Sequence, residues 1–438
     1  MIMNILKGVN NLVKATRLFI YLSYSIFRYK CGFIAFEDAV ISICDSFIHE
    51  NYIFTKVVQW GVQEIYDDAN INSYDKLKEY FSTFSNRVPY TQDELKHTTL
   101  LINNAIQYAR TRNDELVIEN ENGCDYYIPM NSGSVALVFK ARLNGTFVVI
   151  KILRSNIRNK IKEDVDILLS IFENTVIKKV MNYYIKLNFK TFISSNVELL
   201  LKQCDFSYEI ENAQIFKNSF KNKKNIIIPA FYPHFTETFE DIIIMEYLDG
   251  PVAKNIPLEH LNKYFKPLQS FFFDSLFRYK ILHGDFHLGN IIIMNDGKNI
   301  GIIDFGIVYF LTDEISNMLF NLMIISVNLH DMKYLEKNLK IVIEVICSDE
   351  SQHENILKKI KEDKKLIRML QSQSKCFSSN ILIEIINKIM SLDNVDLNPN
   401  MCQLCLSTMS GLQTIEYTNN NSSIEYMLKE YMKKCVAI

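Results

Sequence analysis

His283-Gly-Asp-Phe-His-Leu-Gly-Asn290, then IIIMNDGKNIGII over 291–303, then Asp304-Phe-Gly306, is the stretch whose reading decides the fold. Two carboxylates and one amide are set here on two loops joined by a short β-type segment. Asn295-Asp-Gly297 supplies the turn between the intervening strands. Phosphoryl transfer from a nucleoside triphosphate needs these groups: a carboxylate near the acceptor hydroxyl, and oxygen ligands for the magnesium that bridges the phosphates. Asp285 and Asn290 are five residues apart, and Asp304 follows fourteen residues later.

Protein kinases carry the same order of Asp, Asn and Asp-Phe-Gly, with an upstream strand lysine for the α- and β-phosphates. Val149-Ile150-Lys151 sits on the strand after the Asn144-Gly145 turn, where that lysine belongs. The loop expected over the phosphates is Asn131-Ser-Gly-Ser-Val-Ala136. It has one glycine, Gly133, followed by Ser134, instead of the three of G-x-G-x-x-G, and its amides could still face phosphate oxygens. His283, Asp285 and His287 could also be read as zinc or iron ligands. The kinase order favours His283 as an internal hydrogen-bonding anchor of the loop instead.

Outward from this stretch the chain reads in three parts. Residues 1–122 read as a helical extension, with apolar spacing of three and four at Tyr74–Phe84 and Thr91–Arg110 and a break at Pro89. Residues 123–250 read as a small β-rich lobe. Its strands fall at Tyr126–Ile128, Ser134–Leu143, Thr146–Leu153, Asn225–Phe231 and Asp241–Leu248, with helix over Ile161–Phe220. Residues 251–438 read as a helical lobe interrupted by β structure from Ile291 to Val308. The expected class is α+β, a protein kinase-like bilobal fold behind an all-helical N-terminal extension.

Composition excludes other classes. Lys+Arg 48 against Asp+Glu 50 gives a net charge of −2 without a basic stripe, which argues against nucleic acid as a partner. Gly 13 and Pro 8 in 438 residues, with 52 Phe and Tyr, point to an AT-biased genome such as that of a parasite or a large DNA virus. Under that bias a retained glycine is informative, and five of the 13 lie between Gly284 and Gly306. No apolar run reaches the ~18 residues of a membrane span. Leu18 to Phe27, between Arg17 and Arg28, suits an amphipathic helix packed on the body or lying on a membrane surface. The first 36 residues carry Lys7, Lys14, Arg17, Arg28 and Lys30 and no acid, as a transit segment or the basic face of a folded helix would; we expect the second. Nine scattered cysteines predict a reduced, intracellular, cytoplasmic chain. Cys402 and Cys405 have no partner ligands at zinc spacing and read as core. Lys433-Lys-Cys435-Val-Ala-Ile438 has the form of a prenylation box, which would add a membrane surface as partner. Its atypical last residue makes coincidence the favoured reading.

From about residue 50 to 310, and more weakly to the end, the sequence resembles the UbiB/AarF-type atypical kinases associated with ubiquinone biosynthesis. HGDFHLGN is similar to that family's H-x-D-x-H-x-G-N. Gln203-Cys-Asp-Phe-Ser-Tyr-Glu209, with Ile210-Glu-Asn-Ala-Gln after it, resembles its E-x-D-Y-x-x-E-A segment. The resemblance implies that Glu209 pairs with Lys151, and that Ile228-Pro229 and Met245–Gly250 are strands leading to the adenine hinge, where Glu246 and Tyr247 would offer backbone groups. Phe54-Thr-Lys-Val-Val-Gln59 resembles the signature K-x-G-Q helix and Ser85–Pro89 the R-V-P stretch, so Lys56 and Gln59 would close over the phosphates. Three positions depart from the family: Val58 replaces the signature glycine, Gln203 the first acid of E-x-D, and Asn131-Ser-Gly-Ser134 the alanine-rich loop.

The expectation is therefore an Mg-ATP-dependent kinase or ATPase. Lys151 would hold phosphates, Asn290 and Asp304 would bind Mg2+, and Asp285 would position an acceptor hydroxyl or water. The acceptor and any protein partner are not named by the residues. Two alternatives stand beside this reading: a small-molecule phosphotransferase, which shares H-x-D-x-x-x-x-N, and a non-catalytic regulator that binds ATP or lipid.

Overall fold

A computed structural model of the chain describes residues 2–50, 76, 80, 88–119, 126–172, 197–198, 200–325, 332–347, 349–363, 385, 389, 398–418 and 424–436. The readings placed on Lys56, Val58 and Gln59 lie outside the described residues. In chain order come α1 (Ile2–Lys30), α2 (Phe36–Glu50), α3 (Gln92–Thr111), β1 (Leu116–Ile118), β2 (Asn131–Ser132), β3 (Ala136–Leu143) and β4 (Thr146–Leu153). There follow α4 (Ile157–Phe172), α5 (Phe206–Ser219), β5 (Ile226–Ile227), α6 (Pro233–Thr238) and β6 (Ile242–Glu246). After α7 (Leu258–Leu261) and α8 (Phe265–Phe273) come β7 (Ile281–His283), β8 (Ile291–Ile293), β9 (Ile300–Ile302) and β10 (Val308–Phe310). The remaining helices are α9 (Asp313–Ile325), α10 (Met332–Ile346), α11 (His353–Glu362), α12 (Pro399–Thr418) and α13 (Ile424–Val436). The class is α+β and kinase-like, as expected. Two units form: Met1–Ile185 with Val197–Ser207 and Phe231–Tyr247, and Lys186–Asn196 with Tyr208–Ala230 and Leu248–Ile438.

In the first unit the Asn144-Gly145 turn organises the sheet. Leu143 lies opposite Thr146, so only two residues connect β3 to β4, and both have positive φ (50° and 79°). That is the type I′ geometry that Asn-Gly adopts at least cost. The Asn144 Oδ1 also accepts the Glu115 amide at 2.8 Å, leading into β1 beside β3. The sheet runs β1-β3-β4-β6 antiparallel, with β2 also on β3. Alternation along β4 sends Val148, Ile150 and Ile152 into a core with Ile102, Ala105 and Ala109 of α3 and Phe235 of α6. Burying each aliphatic chain of this kind contributes roughly 1.5–3 kcal/mol. The same alternation puts Lys151 on the opposite face.

The N-terminal helices show where the sequence reading divides. On α1, Leu18, Leu22 and Ser25 are buried, and the Ser25 hydroxyl meets that of Ser42 on α2 at 3.2 Å. Ile20, Tyr24 and Phe27 lie on the outer side, 58–59% exposed. Among the described residues no helix is long and apolar enough to cross a membrane. Residues 116–118, within a stretch whose pattern reads helical, form β1. Three residues are too few to show a period, and pairing with β3 decides their state. Tyr126–Ile128 is not a strand, and of Asn225–Phe231 only Ile226–Ile227 is one.

The second unit is built on aromatic packing. Phe216 of α5 stacks on Phe271 of α8 (5.7 Å) and meets Phe305 (5.1 Å), while Phe271 meets Phe286 (5.2 Å). β8 and β9 form the hairpin that Asn295-Asp-Gly297 predicts, with Gly297 at φ +69° and the Asp296 carboxylate accepting the Lys298 and Asn299 amides. β5 runs parallel to β9, and β7 pairs antiparallel with β10. Gly250 passes so close to this hairpin that a Cβ would sit 2.0 Å from the Ile293 carbonyl oxygen. Helices α12 and α13 complete the unit: Gly411 lets α12 lie against Phe272, and Tyr431 donates to Asp274, which also pairs with Lys223 at 2.6 Å. Cys405 is buried, as a core cysteine should be; the side chains of Cys402 and Cys435 lie outside the described residues.

Candidate functional site

The catalytic-loop residues are positioned by β7 and β8, which flank the loop, and by backbone bonds inside it. Asn290 donates its side-chain amide to the Asp285 carbonyl at 2.9 Å. Its own backbone carbonyl accepts the Ile303 amide at 3.1 Å, which ties the loop to the end of β9 just ahead of Asp304. Asp285, Asn290 and Asp304 thus belong to one hydrogen-bonded segment of the second unit. Asp304 has φ +66°, in the left-handed region that is uncommon for non-glycine residues and most readily entered by Asn and Asp. Such backbone outliers concentrate at functional sites.

His283 is wholly buried, and both ring nitrogens are used. The Asp285 amide donates to Nδ1 at 3.3 Å, so the proton resides on Nε2, which faces the Ile303 carbonyl at 3.1 Å. Burial lowers its pKa, with the neighbouring hydrogen bond and acids opposing, so the ring is a neutral internal strut. Phe286 and Phe305 lie edge-on to it at 6.1 and 5.2 Å. His287 accepts the Gly289 amide at Nδ1 (2.9 Å) and turns Nε2 toward Asp285 Oδ1 at 3.6 Å. Nitrogens so engaged do not make a transition-metal site, and no group of three or more His, Cys, Asp or Glu with ligand geometry exists among the described residues. Magnesium is the better fit. With the Asn290 amide nitrogen committed to Asp285, its Oδ1 remains as a neutral oxygen donor, and oxygen donors such as this and the Asp304 carboxylate are the hard ligands that cation takes.

α5 supports the second loop. Asn212 donates to the Phe305 carbonyl at 2.9 Å, and Glu209, one turn earlier on the same face, is 2% exposed. In the first unit, Lys151 lies with its ammonium 5.9 Å from the Phe206 ring centroid. Glu246 ends β6 opposite Val148, and the Tyr247 amide donates to the Phe147 carbonyl at 3.2 Å, so that amide is engaged inside the sheet. The Asn131–Ala136 loop is a tight hairpin in which the Gly133 amide donates to the Ala136 carbonyl at 2.9 Å, leaving Ser134 buried at the tip.

Sequence reasoning passed over three supports. Arg154 anchors the Asn131–Ala136 hairpin through Gly133 and Ser132, 21 and 22 residues before it, and also reaches Val88, 66 residues before it. Phe305 and Phe286 brace His283, and Thr414 of α12 donates to the Phe286 carbonyl at 3.1 Å. Only the two phenylalanines carried a signal, being interleaved with the acids of the loop motifs.

This geometry defines a class, and the comparisons agree with it. Residues 125–339 match the ABC1 atypical kinase-like domain. The "Probable protein kinase UbiB" of Haemophilus ducreyi is 30% identical over 192 residues, covering 40% of this chain and 34% of its own length. That of Shewanella halifaxensis is 31% identical over 203 residues, covering 43% and 35%. The chain therefore matches about a third of the length of these relatives. A solved structure of Rv3197 with erythromycin from Mycobacterium tuberculosis is similar at 15% identity and a TM-score of 0.38, over 74% of this chain and 87% of that one. Over residues 125–339 the chain carries a domain of the UbiB/AarF-type atypical kinase kind.

Proposed function

We propose that the protein is an Mg-ATP-dependent atypical kinase or ATPase of the UbiB type. The observation that carries this is the Asp285–Asn290–Asp304 segment, in which one amide bond orients Asn290 and a left-handed backbone presents Asp304. Bound magnesium would supply charge neutralisation for the bridged phosphates. Asn290 and Asp304 would hold that cation through side-chain oxygens. Asp285 orients the acceptor's hydroxyl and receives its proton at a carboxylate oxygen, and the Nε2 proton of His287 faces that same carboxylate. Lys151 supplies the positive charge for the α- and β-phosphates, with Glu209 as the acid that the family resemblance pairs with it. Gly133, Ser134 and Glu246 would offer backbone groups to the nucleotide, Tyr247 only its carbonyl because its amide is bonded to Phe147, and Lys56 and Gln59 would form the cover.

The acceptor is a lipid-linked molecule, a protein or water. A membrane surface as partner is favoured by one observation: the exposed Ile20, Tyr24 and Phe27 share α1 with Arg17 and Arg28, whose guanidinium groups lie 5.8 and 5.6 Å from the Tyr21 and Tyr24 rings. The deciding experiment is phosphate release by purified protein with Mg-ATP, with and without anionic vesicles, beside the Asp304→Asn variant. Turnover lost in the variant supports the reading, and equal turnover in both refutes the magnesium assignment. Nucleotide binding without turnover under any condition would favour the non-catalytic regulator. ATP consumption stimulated by small alcohols or amines alone would favour the small-molecule phosphotransferase.

A further inference from the structure

Arg154 stands at the first position after β4, three residues beyond Lys151, and is only 5% exposed. An isolated buried guanidinium is expensive, and it is tolerated only where its charge is paired and its N–H groups are all received. Every one of them is. Nε donates to the Gly133 carbonyl at 3.0 Å, one terminal nitrogen to the Glu94 carboxylate (3.0 Å to each oxygen) and the Pro89 carbonyl (3.1 Å), and the other to the Val88 carbonyl (3.2 Å) and the Ser132 hydroxyl (2.8 Å). Five donors are matched by acceptors from three separate segments, all of the first unit.

Glu94, Ser132 and Val88 are themselves fixed. Glu94 closes the capping box at the start of α3, its carboxylate accepting the Thr91 amide at 2.9 Å while its own amide donates to the Thr91 hydroxyl at 3.2 Å. Ser132 and Val88 are joined twice, since the Val88 amide donates to the Ser132 carbonyl at 2.9 Å and the Ser132 hydroxyl donates to the Val88 carbonyl at 2.5 Å. The Arg154 backbone adds a bond from its amide to Val135 at 2.9 Å. The hairpin at 131–136, the Val88-Pro89 segment and the first turn of α3 therefore form one fixed body around a single planar cation. A lysine could not replace it, having three donors that diverge from a point instead of five in a plane.

We infer that Arg154 is a positioning residue for nucleotide: through Glu94, Ser132 and the Gly133 carbonyl it presets the phosphate-covering hairpin, whose single glycine leaves it without the usual flexible loop. The inference rests on the ATP reading above and adds to it the device that sets nucleotide affinity. A hairpin held in its binding shape pays less ordering entropy when nucleotide arrives, so releasing it weakens binding more than it slows chemistry.

The test is equilibrium binding of a fluorescent ATP analogue, with KM and kcat for ATP, on wild type, Arg154→Lys, Ser132→Ala and the control Arg158→Lys. Arg158 reaches Asp241 and the Cys204 carbonyl instead of the hairpin, so its conservative variant perturbs the same region without touching the hub. All measurements are made well below each variant's melting temperature. Expected are a Kd and KM raised about tenfold in Arg154→Lys and several-fold in Ser132→Ala, with kcat within about threefold of wild type and Arg158→Lys unchanged. Should Arg154→Lys not fold, Ser132→Ala decides alone, since it removes one acceptor and leaves the ion pair in place. Wild-type affinity in the Arg154 and Ser132 variants, or an equal loss in Arg158→Lys, would overturn the inference. Absence of nucleotide binding by the wild type would instead overturn the ATP reading itself.

Discussion

Asn290 gives its side-chain N–H to the main-chain carbonyl of Asp285, 2.9 Å away, so the orientation of the amide is decided by the residue we propose as the one that orients the acceptor. The proposed metal ligand and the proposed catalytic residue are thereby coupled through one peptide unit. Asn290→Asp should break this coupling, because a carboxylate has no hydrogen to donate and would face a carbonyl. We expect kcat for ATP turnover to fall by about tenfold or more and folding stability by ~1 kcal/mol. Steady-state kinetics and urea unfolding would check both; unchanged kcat would remove Asn290 from the site.

Asp304 occupies left-handed space at φ +66°. Asn tolerates that conformation at least as well as Asp, so Asp304→Asn should retain the melting temperature. Loss of the carboxylate should still cut turnover by about 100-fold or more, since the cation loses its charged ligand. Calorimetry and phosphate release on the same preparation separate the two effects. A variant that loses stability together with activity would contradict the assignment of strain held for function.

The buried, neutral His283 makes a pH prediction with a definite sign. Burial lowers its pKa in the folded protein, so below about pH 6.5 the unfolded chain binds more protons than the folded one. Stability contributed by the neutral ring is present above that pH and is lost as pH falls through the unfolded value toward the folded one. His234, also shifted down chiefly by burial, acts in the same direction. Melting temperatures from pH 8 to pH 5 should fall on the acid side, and His283→Asn should be less stable at pH 8 but show a shallower acid slope. An identical slope in the variant would mean that His283 is protonated in the fold.

Gly250→Ala should destabilise the second unit by about 2 kcal/mol or more, because the added methyl would meet main-chain atoms of Ile293 that have no rotamer by which to move away. Gly297→Ala, at a turn with open space around it, should cost less, about 1 kcal/mol from its φ of +69° alone. Chemical denaturation of the pair measures the difference.

The catalytic loop, the Asp-Phe-Gly turn and the β3–β4 hairpin were legible because each is local: the groups that must cooperate lie within a few residues, and Asn-Gly permits few turns. Arg154 was illegible for the opposite reason. A lone arginine at a strand end reads as solvated, and its acceptors at 88, 89, 94, 132 and 133 become one site only when the chain is folded. β1 was hidden by its length and is created by its neighbour β3. The amphipathic character of Leu18–Phe27 was visible, while the side that faces outward was not.

Thr414 gives a last consequence. It belongs to α12, some 75 residues past the point where the match to the family domain ends, yet its hydroxyl donates to the carbonyl of Phe286, between the two acidic and imidazole groups of the catalytic loop. The same helix covers Phe272, which stacks on Phe286. A chain shortened to the recognised domain would therefore strip the underside of the loop that carries Asp285 and Asn290. The homologous region is a boundary of resemblance and not of self-sufficiency, and any dissection of this protein should cut outside α12.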